Sequence, residues 1–88
     1  MNPQVTFYTR AGCHLCEVAL AVIERVDVDV DFALDVVDID GDPELSALYG
    51  DKIPVVLVDD RLHAKYRVDE HAFRRRLAAG THAAQEQA

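Results

Sequence analysis

Cys13-His14-Leu15-Cys16 contains both cysteines of the chain. Two thiols separated by two residues can close a disulfide reversibly, supply half of a metal site, or serve as small buried hydrophobes. Thiol–disulfide exchange needs one thiol that ionises readily and a second within its reach. The start of a helix favours the first, because its backbone N–H groups lack internal partners and its dipole places partial positive charge there. In such settings a thiol pKa falls from ~8.5 to somewhere between ~3.5 and ~7.5. Arg10 and His14 bring further positive charge close in sequence, so both are candidates for tuning a Cys13 thiolate. A structural zinc site asks for four ligands. There is no second cysteine pair, and His63, His71 and His82 have no paired spacing with this one. Redox use therefore leads. A zinc or iron–sulfur carrier and a redox-switched binding module remain alternatives.

The flanking pattern puts the pair between a strand and a helix. Val5-Thr6-Phe7-Tyr8-Thr9 is rich in β-branched and aromatic residues and reads as a strand, which Arg10-Ala11-Gly12 breaks. From Leu15, the apolar residues Val18, Ala19, Val22, Ile23 and Val26 recur at helical spacing and predict a helix over 14–26. A second strand follows over 32–39, where the alternation slips at Val36-Val37, the pattern of a strand partly buried on both faces. Asp42-Pro43-Glu44 opens a short helix with a cap and a first-turn proline, and Gly50 closes it. Pro54 to Val58 is a third strand, Asp59-Asp60 a turn, and Arg61 to Tyr66 a returning fourth strand. Asp69 caps a last helix with Ala72, Phe73 and Leu77 inward and Arg74, Arg75 and Arg76 outward. The order is β-α-β-α-β-β-α. The helical connections suggest three parallel strands and a terminal hairpin, giving an α/β fold whose four-stranded mixed sheet has helices on both faces. One domain over residues 1–79 is expected, followed by a flexible tail over 80–88.

Composition narrows the classes. Half of the 88 residues are hydrophobic and 28% are charged, the balance of a folded globular protein. Sixteen acidic against nine basic residues give a net charge of -7, which argues against non-specific nucleic-acid binding. The longest apolar run, Val18 to Ile23, is far shorter than the ~20 residues of a membrane span. Met1-Asn2-Pro3-Gln4 carries neither a basic region nor an apolar signal core, so a cytoplasmic location is expected. Nothing in the pattern marks an exposed apolar patch, and a monomer is expected.

The segment Val5 to Cys16 resembles the opening of glutaredoxins, where a short strand leads through a basic residue and a small loop into the C-x-x-C helix. Lys52-Ile53-Pro54-Val55 is similar to the family's signature before its third strand, where the proline is cis and faces the active site. The nearest likeness is to small, divergent bacterial glutaredoxin-like proteins of the thioredoxin superfamily. This resemblance implies a thioredoxin fold and disulfide exchange without a bound prosthetic group. It implies Cys13 as nucleophile, Cys16 as resolving thiol, and Ile53 beside Pro54 as a backbone edge for substrate. Substrates would be protein or low-molecular-weight disulfides, with glutathione or a reductase as electron donor. Glutathione-using members carry Gly-Gly after the last hairpin, whereas here the stretch is Ala64-Lys65-Tyr66-Arg67-Val68-Asp69-Glu70. Lys65 and Arg67 are either carboxylate-attracting or solvent-facing charge. His14 beside the nucleophile favours a reduced thiolate and a more oxidising disulfide, or is simply exposed at a helix start. Tyr8 either borders the active site or packs, with packing favoured. Asp35, Asp38 and Asp40 read as solvated acids at a strand end or include a proton acceptor for Cys16, with the first favoured.

Overall fold

A computed structural model describes the backbone of residues 2–87 and the side chains of residues 2–79. Its elements are β1 (Gln4–Thr9), α1 (His14–Asp27), β2 (Ala33–Asp38), a 3-10 turn (Ile39–Gly41), α2 (Pro43–Tyr49), β3 (Val55–Val58), β4 (Arg61–Lys65) and α3 (Glu70–Gln87). The four strands form one mixed sheet in the order β2-β1-β3-β4. The fold is the expected α/β arrangement, with one change of strand direction.

β1 is central, and its alternation sorts the two layers. Val5 and Phe7 point to one face and are fully buried, against Val56 and Val58 of β3. α1 lays Cys16, Ala19, Ile23 and Val26 on that face at helical spacing. α3 adds Phe73 and Leu77 to the same cluster, and Phe73 meets Phe32 edge-on at 5.7 Å between ring centroids. The opposite face carries Thr6 and Tyr8, where Tyr8 stacks on Tyr49 of α2. Helices thus lie on both faces, two on the larger core and the short α2 on the other.

β3 runs antiparallel to β1 and not parallel as the helical connection suggested. Length explains the difference. A parallel crossover must bring the chain back to the starting end of the sheet, roughly 20 Å for a six-residue strand. α2 has seven residues, about 10 Å of helix. It stays at the end where β1 and β2 finish, so β3 starts there and runs back.

β2 is an edge strand, and that limits its burial. Leu34 and Val37 are half-buried while Val36 is exposed, and the flanking Phe32 and Ile39 carry the packing. The β3–β4 turn is the expected Asp59-Asp60, with both residues in the left-handed region at φ 52 and 66. This is the backbone a two-residue hairpin requires. Asp59 also fastens the hairpin to β1. Its Oδ1 accepts from the Gln4 N–H at 2.9 Å, and its own N–H donates to the Gln4 carbonyl at 2.8 Å.

The three arginines of α3 are not uniformly outward. Arg74 donates to Asp29 and Glu70, and Glu70 also accepts from Arg25 of α1. These hydrogen bonds hold Asp29 and Glu70 below the usual carboxylate range and the Arg74 guanidinium above its ordinary value. Arg76 donates to the Val58 carbonyl, and of the three only Arg75 is exposed. The helical backbone continues through 80–87. The side chains of residues 80–88, and with them the expected flexibility of the tail, lie outside the described residues.

Two outcomes follow from these contacts. Glycine occupies left-handed backbone without steric cost, so Asp60→Gly should raise stability by about 0.5–1 kcal/mol and the melting temperature by a few degrees. An unchanged or lower melting temperature would contradict this account of the turn. His63 packs against Phe73 at 5.7 Å, and burial, then the charge of Arg76, lowers its pKa from 6.5. The unfolded chain therefore takes up this proton first. Its share of stability is intact above about pH 6.5 and is lost as pH falls from there towards the lowered native value. Denaturant titrations should show a shallower loss between about pH 7 and 5 for His63→Gln. Parallel slopes would remove His63 as the cause.

Candidate active site

Chain geometry delivers Cys13 to the start of α1. Gly12 has φ 77, a left-handed conformation that suits glycine and turns the chain out of β1. Cys13 then sits at the N-cap position in extended conformation, and its Sγ accepts the Cys16 N–H at 3.1 Å. A sulfur stands here where a serine or aspartate oxygen commonly caps a helix. Cys13 and Cys16 are joined in a disulfide, their Cα atoms 5.2 Å apart, within the ordinary range for such a bond. Cys16 is 2% exposed and belongs to the core, whereas Cys13 is half-buried at its edge. Solvent therefore approaches the pair from the Cys13 side.

His14 and Arg10 are placed very differently. His14 opens α1 with its side chain 85% exposed, and its Nδ1 lies 4.0 Å from Glu17. Arg10 is turned towards α2. Its Nε donates to Asp40 at 3.0 Å, one terminal nitrogen donates to the Gly50 carbonyl at 3.2 Å, and the other donates to Ser46 Oγ at 3.4 Å. Its hydrogen-bond partners thus lie in the 3-10 turn, within α2 and at its C-terminal end, and none is a sulfur. Gly50 belongs to the same junction, since a Cβ there would strike the Ser46 carbonyl oxygen.

The Ile53–Pro54 peptide bond is cis. Tyr8 of β1 pairs with Val55, so the next step of the ladder sets Pro54 beside Thr9, where the cysteine turn begins. Ile53 and Cys13 both pack against the main core cluster. The N–H and C=O of Ile53 enter no hydrogen bond among the described residues, so they are available at this edge. On the far side, Val55 pairs with Lys65, which sets Tyr66 next to Pro54. The Tyr66 N–H donates to the Lys52 carbonyl at 3.2 Å and the Pro54 carbonyl at 2.8 Å.

Tyr66 is the neighbour that sequence reasoning passed over. Its φ is 73, so the left-handed backbone is present in the stretch that lacks the glycine pair. Lys65 and Arg67 flank it and are exposed, with Lys65 Nζ 6.0 Å from the Tyr66 ring centroid. Tyr8 packs as expected, 4.9 Å from the Tyr49 ring. Burial first, then the nearby Tyr49, raises its hydroxyl above the ordinary 10.0. Asp35, Asp38 and Asp40 are all exposed. Asp38 accepts the Asp40 N–H, and Asp40 holds Arg10. Among the described residues no group of three or more His, Cys, Asp or Glu is placed to hold a metal.

A mixed four-stranded sheet, a C-x-x-C disulfide at a helix start and a cis-proline before β3 define a thioredoxin-fold protein with a redox-capable cysteine pair. The glutaredoxin-like domain family matches residues 4–78, and the chain belongs to that family. Its relatives include the uncharacterized protein Rv0508 of Mycobacterium tuberculosis, 38% identical over 85 residues, covering 91% of this chain and 88% of that one. Among solved structures, protein Ne2328 of Nitrosomonas europaea superposes with a TM-score of 0.76 at 32% identity, covering 88% of this chain and 93% of that one. A thioredoxin variant of Halobacterium salinarum shares the fold at a TM-score of 0.69 and 20% identity, covering 91% of this chain and 75% of that one.

The Arg10 contacts carry their own expectation. Arg10→Ala should remove the tie between the cysteine turn and α2 and cost about 1 kcal/mol in denaturant unfolding. Stability equal to wild type would show that these contacts are idle.

Proposed function

We propose that the protein is a dithiol disulfide oxidoreductase working in the cytoplasm on protein or low-molecular-weight disulfides. The observation that carries this reading is the layered cysteine pair, with an approachable Cys13 sulfur at the head of α1 and a buried Cys16 one turn behind it.

The reaction runs in two exchanges. The Cys13 thiolate attacks one sulfur of a substrate disulfide, forms a mixed disulfide and releases the other substrate half as a thiolate. The Cys16 thiolate then attacks the Cys13 sulfur and expels the second substrate thiolate. The substrate gains two electrons and the protein is left as the Cys13–Cys16 disulfide. Glutathione, or a dithiol reductase, returns the two electrons. The helix start lowers the charge penalty of a Cys13 thiolate, which also makes Cys13 a good leaving group. Arg10 and His14 are the nearest basic residues in sequence, and the His14 imidazole is exposed at the head of α1 beside Glu17. Ile53 offers its unpaired backbone groups to an extended substrate segment, with Pro54 holding that edge. Leu15, 53% exposed between the cysteines, adds apolar surface for the same contact.

Assays on reduced protein test the division of labour. Cys13→Ser should lose disulfide reductase activity by at least about a hundredfold, as expected on removal of a nucleophile. Cys16→Ser should accumulate a mixed disulfide, visible by intact-protein mass. Equal residual activity in both variants would sink the assignment. Stoichiometric zinc or iron in protein purified without oxygen would favour the carrier alternative.

A further inference from the structure

Tyr66 combines three properties that its place in the fold does not explain. Its backbone is left-handed at φ 73, a region that glycine or asparagine enters more readily than a bulky aromatic residue. The residue is 47% exposed and belongs to no part of the core cluster. Its hydroxyl joins no hydrogen bond, and its ring meets no other aromatic ring, among the described residues. A turn that needed only this backbone would be better served by glycine. A core that needed an aromatic ring would bury it. Backbone strain of this kind, at a residue whose N–H bridges Lys52 and Pro54, points from the outlier to a task at the site.

We propose that Tyr66 is a specificity-determining residue of the disulfide site, its ring receiving an apolar or aromatic side chain beside the half-cystine of an extended peptide substrate. This rests on the oxidoreductase reading above and adds the substrate class. The ladder order Thr9, Pro54, Tyr66 sets this residue on the side of Pro54 away from the cysteine turn. A peptide that pairs with Ile53 and offers a cystine sulfur to Cys13 extends past that edge, whereas a small disulfide does not. The two carbonyls that hold the Tyr66 N–H fix the backbone, so little freedom is lost when a substrate side chain meets the ring. Lys65 lies towards the ring at 6.0 Å and discourages a cationic side chain there.

The test measures kcat/KM for three disulfides: a peptide with phenylalanine beside the half-cystine, the same peptide with alanine there, and bis(2-hydroxyethyl) disulfide. Wild type and Tyr66→Phe should prefer the phenylalanine peptide about three- to tenfold, the size of one aromatic contact. Tyr66→Gly should lose that preference, keep the small-disulfide rate and melt no lower than wild type. An unchanged preference in Tyr66→Gly, or an equal fall on all three disulfides, overturns the assignment while leaving the oxidoreductase reading in place. A wild type that reduces none of the three overturns that reading and this assignment with it.

Discussion

The hydrogen bond from the Cys16 N–H to the Cys13 sulfur joins the chemistry of this protein to its fold. The first turn of α1 needs an acceptor at its head, and the atom that supplies it is one half of the disulfide. The sulfur is a better acceptor as a thiolate than in a disulfide, because charge strengthens the bond and the helix dipole favours it. The core residues Ala19, Ile23 and Val26 hold α1 rigid behind it, so the sulfur is presented at a fixed place at the end of β1.

Strand direction decides what that sulfur meets. Because β3 runs against β1, its first residues lie at the end where β1 finishes, and Pro54 comes to rest near the cysteine turn. A parallel β3 would have carried Ile53 and Pro54 to the opposite end of the sheet. The short α2 enforces the reversal, and Arg10 ties α2 to the same junction through Asp40, Ser46 and Gly50. The arginine beside the cysteines in sequence is, in space, a strut between elements.

Most of the elements were legible because they rest on local chemistry. The periodic stripe of α1, the Asp42-Pro43 opening of α2 and the Asp59-Asp60 turn are all set by neighbours in the chain. The direction of β3 is not set by local chemistry, and the short length of α2 is the feature of the sequence that carries it. The partners of Arg10, and the Asp29 partner of Arg74, lie 30 to 45 residues away, beyond what spacing alone encodes. The conformation of Tyr66 was hidden for a different reason. Nothing in a tyrosine announces left-handed backbone, and the missing glycines suggested that the turn itself had gone.

The charge split along the chain becomes a split across the molecule. Residues 1–51 hold eleven acids and two bases, and residues 52–88 hold five acids and seven bases. The first group builds β1, α1, β2 and α2, and the second builds β3, β4 and α3. With strand order β2-β1-β3-β4, Asp35 and Asp38 line one edge of the sheet while Arg61 and Lys65 line the other. The sheet thus carries acidic residues along one edge strand and basic residues along the other. Near any charged surface the molecule experiences a torque as well as a net force, and it arrives with one edge leading.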